Sequence, residues 1–311
     1  MEMKWTGVMP AVTTKFTADD QLDFNMFELN VQAQLQAGVT GIILGGTLGE
    51  ASTLSDTEKR TLLRETVRMV NGKVPVVINI AEQTTRNAIE AAHRAENDGA
   101  SGLMMLPPMR YKASDDETVV YFMEVAKNTS LPIMVYNNPV DYKIEVTLDM
   151  FEKLLKHDNI QAVKESTRDI TNVTRMINRF GDRLKILSGV DTLSLESILM
   201  GADGWVSGLV DAFPAETVAI FNLAKAGRIN EALSIYRWFL PLLELDINSF
   251  LVQNIKLAEV ATKLGTEYVR PPRLPLQGAE RKRVVDIIQR ALETRPVLPD
   301  YKNALLLKDY V

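Results

Sequence analysis

Eight short apolar runs punctuate the first two-thirds of the chain, and their spacing limits the fold more than any other feature. They fall at residues 8–12, 41–45, 74–80, 102–106, 131–136, 160–164, 184–188 and 204–207. Successive runs begin roughly 20 to 35 residues apart, the length of one strand–helix unit. They are short, β-branched and apolar on both alternating faces. Strands of a parallel sheet covered on both sides must read this way.

The segments between the runs have helical signatures. Phe24, Phe27, Val31 and Leu35 step by three, four and four, and Gly38 stands where a C-terminal cap belongs. Ser55-Asp-Thr-Glu58 and Ser114-Asp-Asp-Glu117 are capping boxes, each followed by apolar residues at helical spacing. Leu148, Phe151, Leu154 and Leu155 form a further apolar stripe. Eight strand–helix repeats in about 225 residues predict a (β/α)8 TIM barrel, an α/β fold. A doubly wound sheet of this length usually has fewer strands. After residue 226 the strand pattern stops, and residues 229–245, 250–264 and 278–292 read as three helices. A proline-rich turn (Pro271, Pro272, Pro275) precedes the last of them. The reading is a barrel of residues 1–225 carrying a C-terminal three-helix extension, residues 226–311, in one compact unit without a linker.

Composition removes whole classes of chemistry. The chain has no Cys, which excludes disulfides, thiolate metal sites and Cys nucleophiles. Its two His, His93 and His157, are far apart, so a multi-His metal site or a His-based triad is not expected. A net charge of −5 argues against a nucleic acid or an anionic membrane as partner. No apolar run has the 18 or so residues of a membrane span. The start, Met1-Glu-Met-Lys-Trp5, lacks the apolar stretch of a secretory signal, so a soluble cytoplasmic protein is expected.

Barrel enzymes place reacting groups at the C-terminal ends of strands. Run two ends Gly45-Gly-Thr-Leu-Gly-Glu50, run five Val135-Tyr-Asn-Asn-Pro139, run six Ala162-Val-Lys-Glu-Ser166. Lys164 closes an apolar run; pointing inward it would be partly desolvated, which frees its amine to attack a carbonyl carbon. On spacing alone, a lysine that snorkels at a strand end remains the commoner reading. Tyr136 lies 28 residues earlier, one strand–helix unit, so the two side chains belong at the ends of adjacent strands. A phenol there can pass protons to a carbinolamine; equally it can cap the barrel with its hydroxyl in water. The glycines after run two fit no phosphate-loop motif, but they let backbone N–H groups approach a carboxylate, and Thr47 adds a hydroxyl. Arg281-Lys-Arg283 reads as the solvated face of the last helix, and Met104, Met105 and Met109 as core or pocket wall.

Taken together these strand ends resemble the dihydrodipicolinate synthase / N-acetylneuraminate lyase family of Schiff-base barrels. The resemblance covers nearly the whole chain. It rests on Gly7-Val-Met-Pro-Ala-Val-Thr-Thr14, Gly46-Thr-Leu-Gly-Glu50, Tyr136-Asn-Asn-Pro139, Val163-Lys-Glu-Ser166, Ser188-Gly-Val-Asp191 and Gly204-Trp-Val-Ser-Gly208, in that order. It implies that Lys164 forms an imine with a 2-oxo acid, that Tyr136 shuttles protons, and that Thr47 orients Tyr136 or the substrate. The backbone of Gly46, Thr47 and Leu48 would hold the substrate carboxylate, with Asn138, Gly189, Asp191, Ser207 and Gly208 as further substrate contacts. It also implies no cofactor, no metal, and a homo-oligomer, dimer or tetramer.

Departures from the family pattern bear on substrate. Leu48 stands where the family usually has a second hydroxyl. The synthases carry an Arg shortly after the Tyr-Asn-x-Pro motif to bind an aldehyde substrate's carboxylate; Asp141 stands about there, with Lys143 and Arg110 as the nearby cations that could replace it. Tyr111 is displaced by about two residues from a Tyr that the synthases borrow from a neighbouring subunit. The stretches at 106–112, 136–139, 201–206 and 265–275 look most like the branch of deaminases that convert 1-pyrroline-4-hydroxy-2-carboxylate, from hydroxyproline degradation, to 2-oxoglutarate semialdehyde and ammonia. The alternatives are dihydrodipicolinate synthase, a pyruvate-dependent aldolase or dehydratase of 2-keto-3-deoxy acids, and a non-catalytic binding barrel. The last predicts loss of the imine Lys or of its Tyr, and both are present. Two scattered His speak against a metal-dependent aldolase.

Overall fold

The computed structural model describes residues 3–306; the outermost residues of both expected units, 1–2 and 307–311, lie outside the described residues. Strands and helices alternate as the runs predict. In chain order they are β1 (Gly7–Pro10), α1 (Phe24–Ala37), β2 (Ile42–Leu44), α2 (Asp56–Val70), β3 (Val76–Ile80), α3 (Thr85–Asn97), β4 (Gly102–Met105) and α4 (Asp115–Lys127). There follow β5 (Ile133–Asn137), α5 (Pro139–Tyr142), α6 (Leu148–Leu154), β6 (Ile160–Glu165), α7 (Thr171–Phe180), β7 (Lys185–Ser188), α8 (Ser194–Leu199), β8 (Gly204–Ser207) and α9 (Pro214–Lys225). The last three α-helices among the described residues are α10 (Ile229–Leu243), α11 (Leu251–Ala261) and α12 (Gly278–Glu293).

All eight strands pair in parallel, in the order β1-β8-β7-β6-β5-β4-β3-β2. The ring closes between β1 and β2. There the Thr40 N–H donates to Val8 O at 2.9 Å, and the Val12 N–H to Ile43 O at 3.0 Å. This is the expected (β/α)8 barrel. Two strands start two residues later than the apolar runs suggest, β3 at Val76 and β5 at Ile133. Pro75 and Pro132 stand just before them. A proline has no N–H for the ladder, so each contributes only its carbonyl, to Ile42 and to Leu103.

The helix signals hold at the level of single hydrogen bonds. Both capping boxes form, on Ser55 with Glu58 and on Ser114 with Glu117. Gly38 closes α1 at φ +102°, where its N–H reaches Gln34 O and Leu35 O; an L side chain there would be strained. Helix α10 is shorter than the apolar pattern suggests, because the chain tightens into a one-turn 3-10 helix, Glu244–Asp246.

Two buried ion pairs fasten α11 to the mouth of the barrel. Lys15 Nζ lies 2.9 Å from Glu259 Oε1, which also accepts from Thr13 Oγ1 at 2.5 Å. Lys256 Nζ lies 2.5 Å from Glu50 Oε1 and donates to Tyr268 O at 2.6 Å. All four charged side chains are fully buried. Helix α11 in turn fixes the 3-10 turn before it, because Asn254 Nδ2 donates to Leu245 O at 2.9 Å. No helix among the described residues is long and apolar enough to cross a membrane.

Candidate active site

Lys164 and Tyr136 are direct partners in the β5–β6 register. Their side chains meet, with Lys164 Nζ 4.1 Å from the centroid of the Tyr136 ring. Both line a cavity of about 100 Å³ at the C-terminal ends of the strands. A larger cavity, about 390 Å³, opens on the other side of the loop after β2 and touches neither. Chemistry, not size, therefore identifies the site. Its volume suits a substrate of few heavy atoms, since pockets for larger ligands hold about 300–1,000 Å³.

Lys164 is buried, and burial pulls its amine below the ordinary lysine pKa. Tyr142, Asp246, Asp191 and Asp141 pull the other way, in that order. Burial pushes the Tyr136 hydroxyl up to about 12, against a 3.1 Å hydrogen bond from Asn138 Nδ2. The pair is thus a lysine with an accessible neutral form beside a phenol that holds its proton. That combination supports nucleophilic attack followed by proton donation.

A glycine makes room for the lysine. A Cβ placed on Gly189 would stand 2.7 Å from Lys164 Cγ and 2.8 Å from Cε. Gly189 lines the cavity, as do Gly46, Thr47, Leu48, Asn138 and Gly208. Asp191 and Ser207 do not. The Asp191 carboxylate lies behind the wall and accepts from Trp205 Nε1 (2.8 Å), Ser207 Oγ (3.2 Å), the Gly208 N–H (3.2 Å) and the Leu209 N–H (3.0 Å). Its hydrogen bonds are spent holding the ends of β7 and β8 together.

Thr47 is expected to orient Tyr136 or the substrate. Its hydroxyl pairs with Tyr142 Oη at 2.7 Å rather than with Tyr136. The Tyr142 ring stands edge-on to Tyr136, centroids 5.5 Å apart at 83°. Thr47 therefore reaches Tyr136 through a second phenol. Sequence reasoning missed Tyr142, yet a signal existed. Asn138 caps α5, and Pro139 is its first residue, which marks a helix start and puts Tyr142 one turn after Asn138.

Asp141 lines the cavity, where Asn138 Nδ2 donates to its carboxylate at 2.8 Å. Neither expected replacement cation reaches the cavity. Lys143 Nζ donates to Val140 O, and Arg110 and the exposed Tyr111 lie on the loop after β4. Two unforeseen groups line it instead: Arg168, on a left-handed backbone at φ +66°, and Asp246, from the 3-10 turn after α10. Among the described residues no group of three or more His, Asp or Glu is placed to hold a metal.

Residues 4–291 match the Dihydrodipicolinate synthetase family. The chain belongs to that family. Two relatives named 4-hydroxy-tetrahydrodipicolinate synthase show the similarity. The one from Sorangium cellulosum is 32% identical over 299 residues, 94% of this chain and 98% of that protein. The one from Methanopyrus kandleri is 33% identical over 297 residues, 94% and 97%. Among solved structures, YagE, a prophage protein of that family from E. coli K12 in complex with pyruvate, is 26% identical. It superposes with a TM-score of 0.87 over 93% of this chain and 99% of its own. The dihydrodipicolinate synthetase family consists of class I aldolase-type lyases, and the chain is a lyase of that kind.

Proposed function

We propose that Lys164 forms an imine with C2 of a 2-oxo acid or of its cyclic imine, and that the substrate is 1-pyrroline-4-hydroxy-2-carboxylate. Water and substrate give 2-oxoglutarate semialdehyde and ammonia. Lys164 attacks C2, and Tyr136 gives its phenolic proton to the departing ring nitrogen. The Tyr136 phenolate then takes the C3 proton, which turns the iminium into an enamine and sets up loss of the 4-hydroxyl. Backbone N–H groups of Gly46, Thr47 and Leu48 hold the substrate carboxylate, with Asn138, Gly189 and Gly208 as further contacts. No cofactor takes part.

The observation that carries this substrate is Asp141 on the wall of the Lys164 cavity. A carboxylate there repels an anionic second substrate and complements the ammonium that ring opening frees at C5. Ammonia release should exceed condensation of pyruvate with aspartate semialdehyde by at least about a hundredfold in kcat/KM, since a lost charge-assisted clamp is worth a few kcal/mol. The assay is coupled ammonia detection on one substrate and dipicolinate-type absorbance on the other. Borohydride reduction with pyruvate or with the hydroxypyrroline acid should place the added mass on Lys164, and labelling elsewhere refutes the mechanism.

A second reading has its own observation. Arg168 lines the cavity, and a guanidinium can bind an aldehyde acid's carboxylate. The relatives' names favour that condensation. Comparable rates in the two assays would support it. In either case the barrel spans residues 1–225 and carries 226–311 as an extension, and the protein works in the cytoplasm as a homo-oligomer on a small acid.

A further inference from the structure

The proposed imine chemistry leaves one step without an agent. Lys164 and Tyr136 act at C2 and C3. Both reactions weighed for this site also move a proton at the oxygen on C4. In an elimination that oxygen departs as water. In a carbon–carbon condensation it is the aldehyde oxygen of the incoming partner.

Asp246 lines the same cavity as Lys164 and Tyr136. It comes from the turn before α11, beside Gly208 at the end of β8. One carboxylate oxygen lies 2.9 Å from where a Cβ on Gly208 would sit, and Leu48 Cδ2 lies 3.2 Å from the same point. The carboxyl group is thus seated over a glycine and beside an apolar side chain. Among the described residues it has no hydrogen bond and no ion pair. The other cavity carboxylate, Asp141, is already engaged by Asn138. Position is also secured, because the turn carrying Asp246 is tied to α11, and α11 is locked by two buried ion pairs.

We propose that Asp246 is the proton donor to the oxygen on C4 of the Lys164-bound substrate. Burial holds its carboxyl well above the ordinary carboxylate pKa. Asp191 after β7, Asp211 after β8 and Asp141 after β5 reinforce this, and Lys164 on β6 opposes it. A protonated acid is what the step needs. In elimination, the enamine re-forms the iminium as C3=C4 forms and the C4–O bond breaks with its electron pair. Asp246 gives that oxygen its proton, water leaves, and Asp246 is a carboxylate until it regains a proton from solvent at product release. In condensation, C3 bonds to the aldehyde carbon, and the same acid protonates the oxygen there.

The inference rests on imine chemistry at Lys164 but not on which of the two reactions follows, so the test separates them. Wild type and Asp246→Asn are compared as full chains in two measurements. Exchange of pyruvate C3 hydrogens for deuterium, followed by NMR, needs the imine and enamine but no C4 oxygen. Turnover is measured as ammonia release from the hydroxypyrroline acid and as condensation with aspartate semialdehyde. In whichever reaction the wild type performs, Asp246→Asn should lose at least about a hundredfold in kcat, the size of a lost general acid, while exchange stays within about threefold. Asp246→Glu, which keeps the acid, should recover part of the loss. Undiminished turnover in Asp246→Asn, or an equal fall in exchange, overturns the assignment. The latter would mean that Asp246 acts on Lys164 or Tyr136. Wild-type condensation without ammonia release refutes the deaminase reading alone, and Asp246 is then judged on condensation.

Discussion

At the scale of single residues, the site depends on a lysine that can shed its proton. An ordinary lysine, with a pKa near 10.4, is less than about 1% neutral at pH 8. Burial lowers the Lys164 pKa, so its neutral fraction at that pH is larger. Borohydride trapping with pyruvate should therefore lose its pH dependence above a pKa below the ordinary lysine value. A trapping rate that keeps rising tenfold per pH unit through pH 10 would contradict this. Tyr136→Phe should lower kcat by about two to four orders of magnitude, as expected for a lost proton carrier. Thr47 and Tyr142 share one hydrogen bond. Thr47→Ala and Tyr142→Phe should each slow turnover, and the double variant should be little worse than either single one. Fully additive losses in that cycle would show that the two hydroxyls work apart.

At the scale of elements, the strands present the site and the loops complete it, and these two parts were unequally legible. Tyr136 and Lys164 were readable because a strand–helix period of fixed length puts their strand ends side by side. The β5–β6 register pairs those very residues. Asp246 was not readable, and of Tyr142 the sequence carried only its place one turn after Asn138. Each reaches the mouth through a turn whose direction depends on contacts distant in sequence, Thr47 for one and α11 for the other. Asp191 and Ser207 show the converse. Their motifs lie at strand ends, but nothing in a motif says whether a polar side chain faces the cavity or ties two strands together. Gly189 tests the element scale. Gly189→Ala pushes a methyl group into the Ser166 hydroxyl and the Lys164 stem, and overpacking of this kind typically costs about 1–3 kcal/mol. The variant should unfold at lower urea and trap pyruvate at least tenfold more slowly, in keeping with a displaced amine at about 1.4 kcal/mol per factor of ten. Unchanged trapping would mean that the lysine stem relaxes freely.

At the scale of the whole molecule, barrel and C-terminal helices are joined through buried charge. Lys256→Met leaves Glu50 without its ammonium partner in a fully buried position, which should cost about 3–5 kcal/mol in urea unfolding. Replacing both partners with apolar residues should recover most of that loss, because desolvation of two ions disappears with the ions. Glu50 ends the loop that carries Gly46 and Thr47, and its partner is made 206 residues later. At about 5–20 residues per second, a ribosome needs some 10–40 s to cover that distance. Throughout that interval the emerging chain already contains its loop, and then its nucleophile, yet lacks the helix that neutralises the loop's buried acid. The order of synthesis therefore leaves Glu50 without its ammonium partner until α11 is made. A chain that stops short of residue 246 also lacks part of the mouth itself, since Asp246 and Leu251 line the cavity.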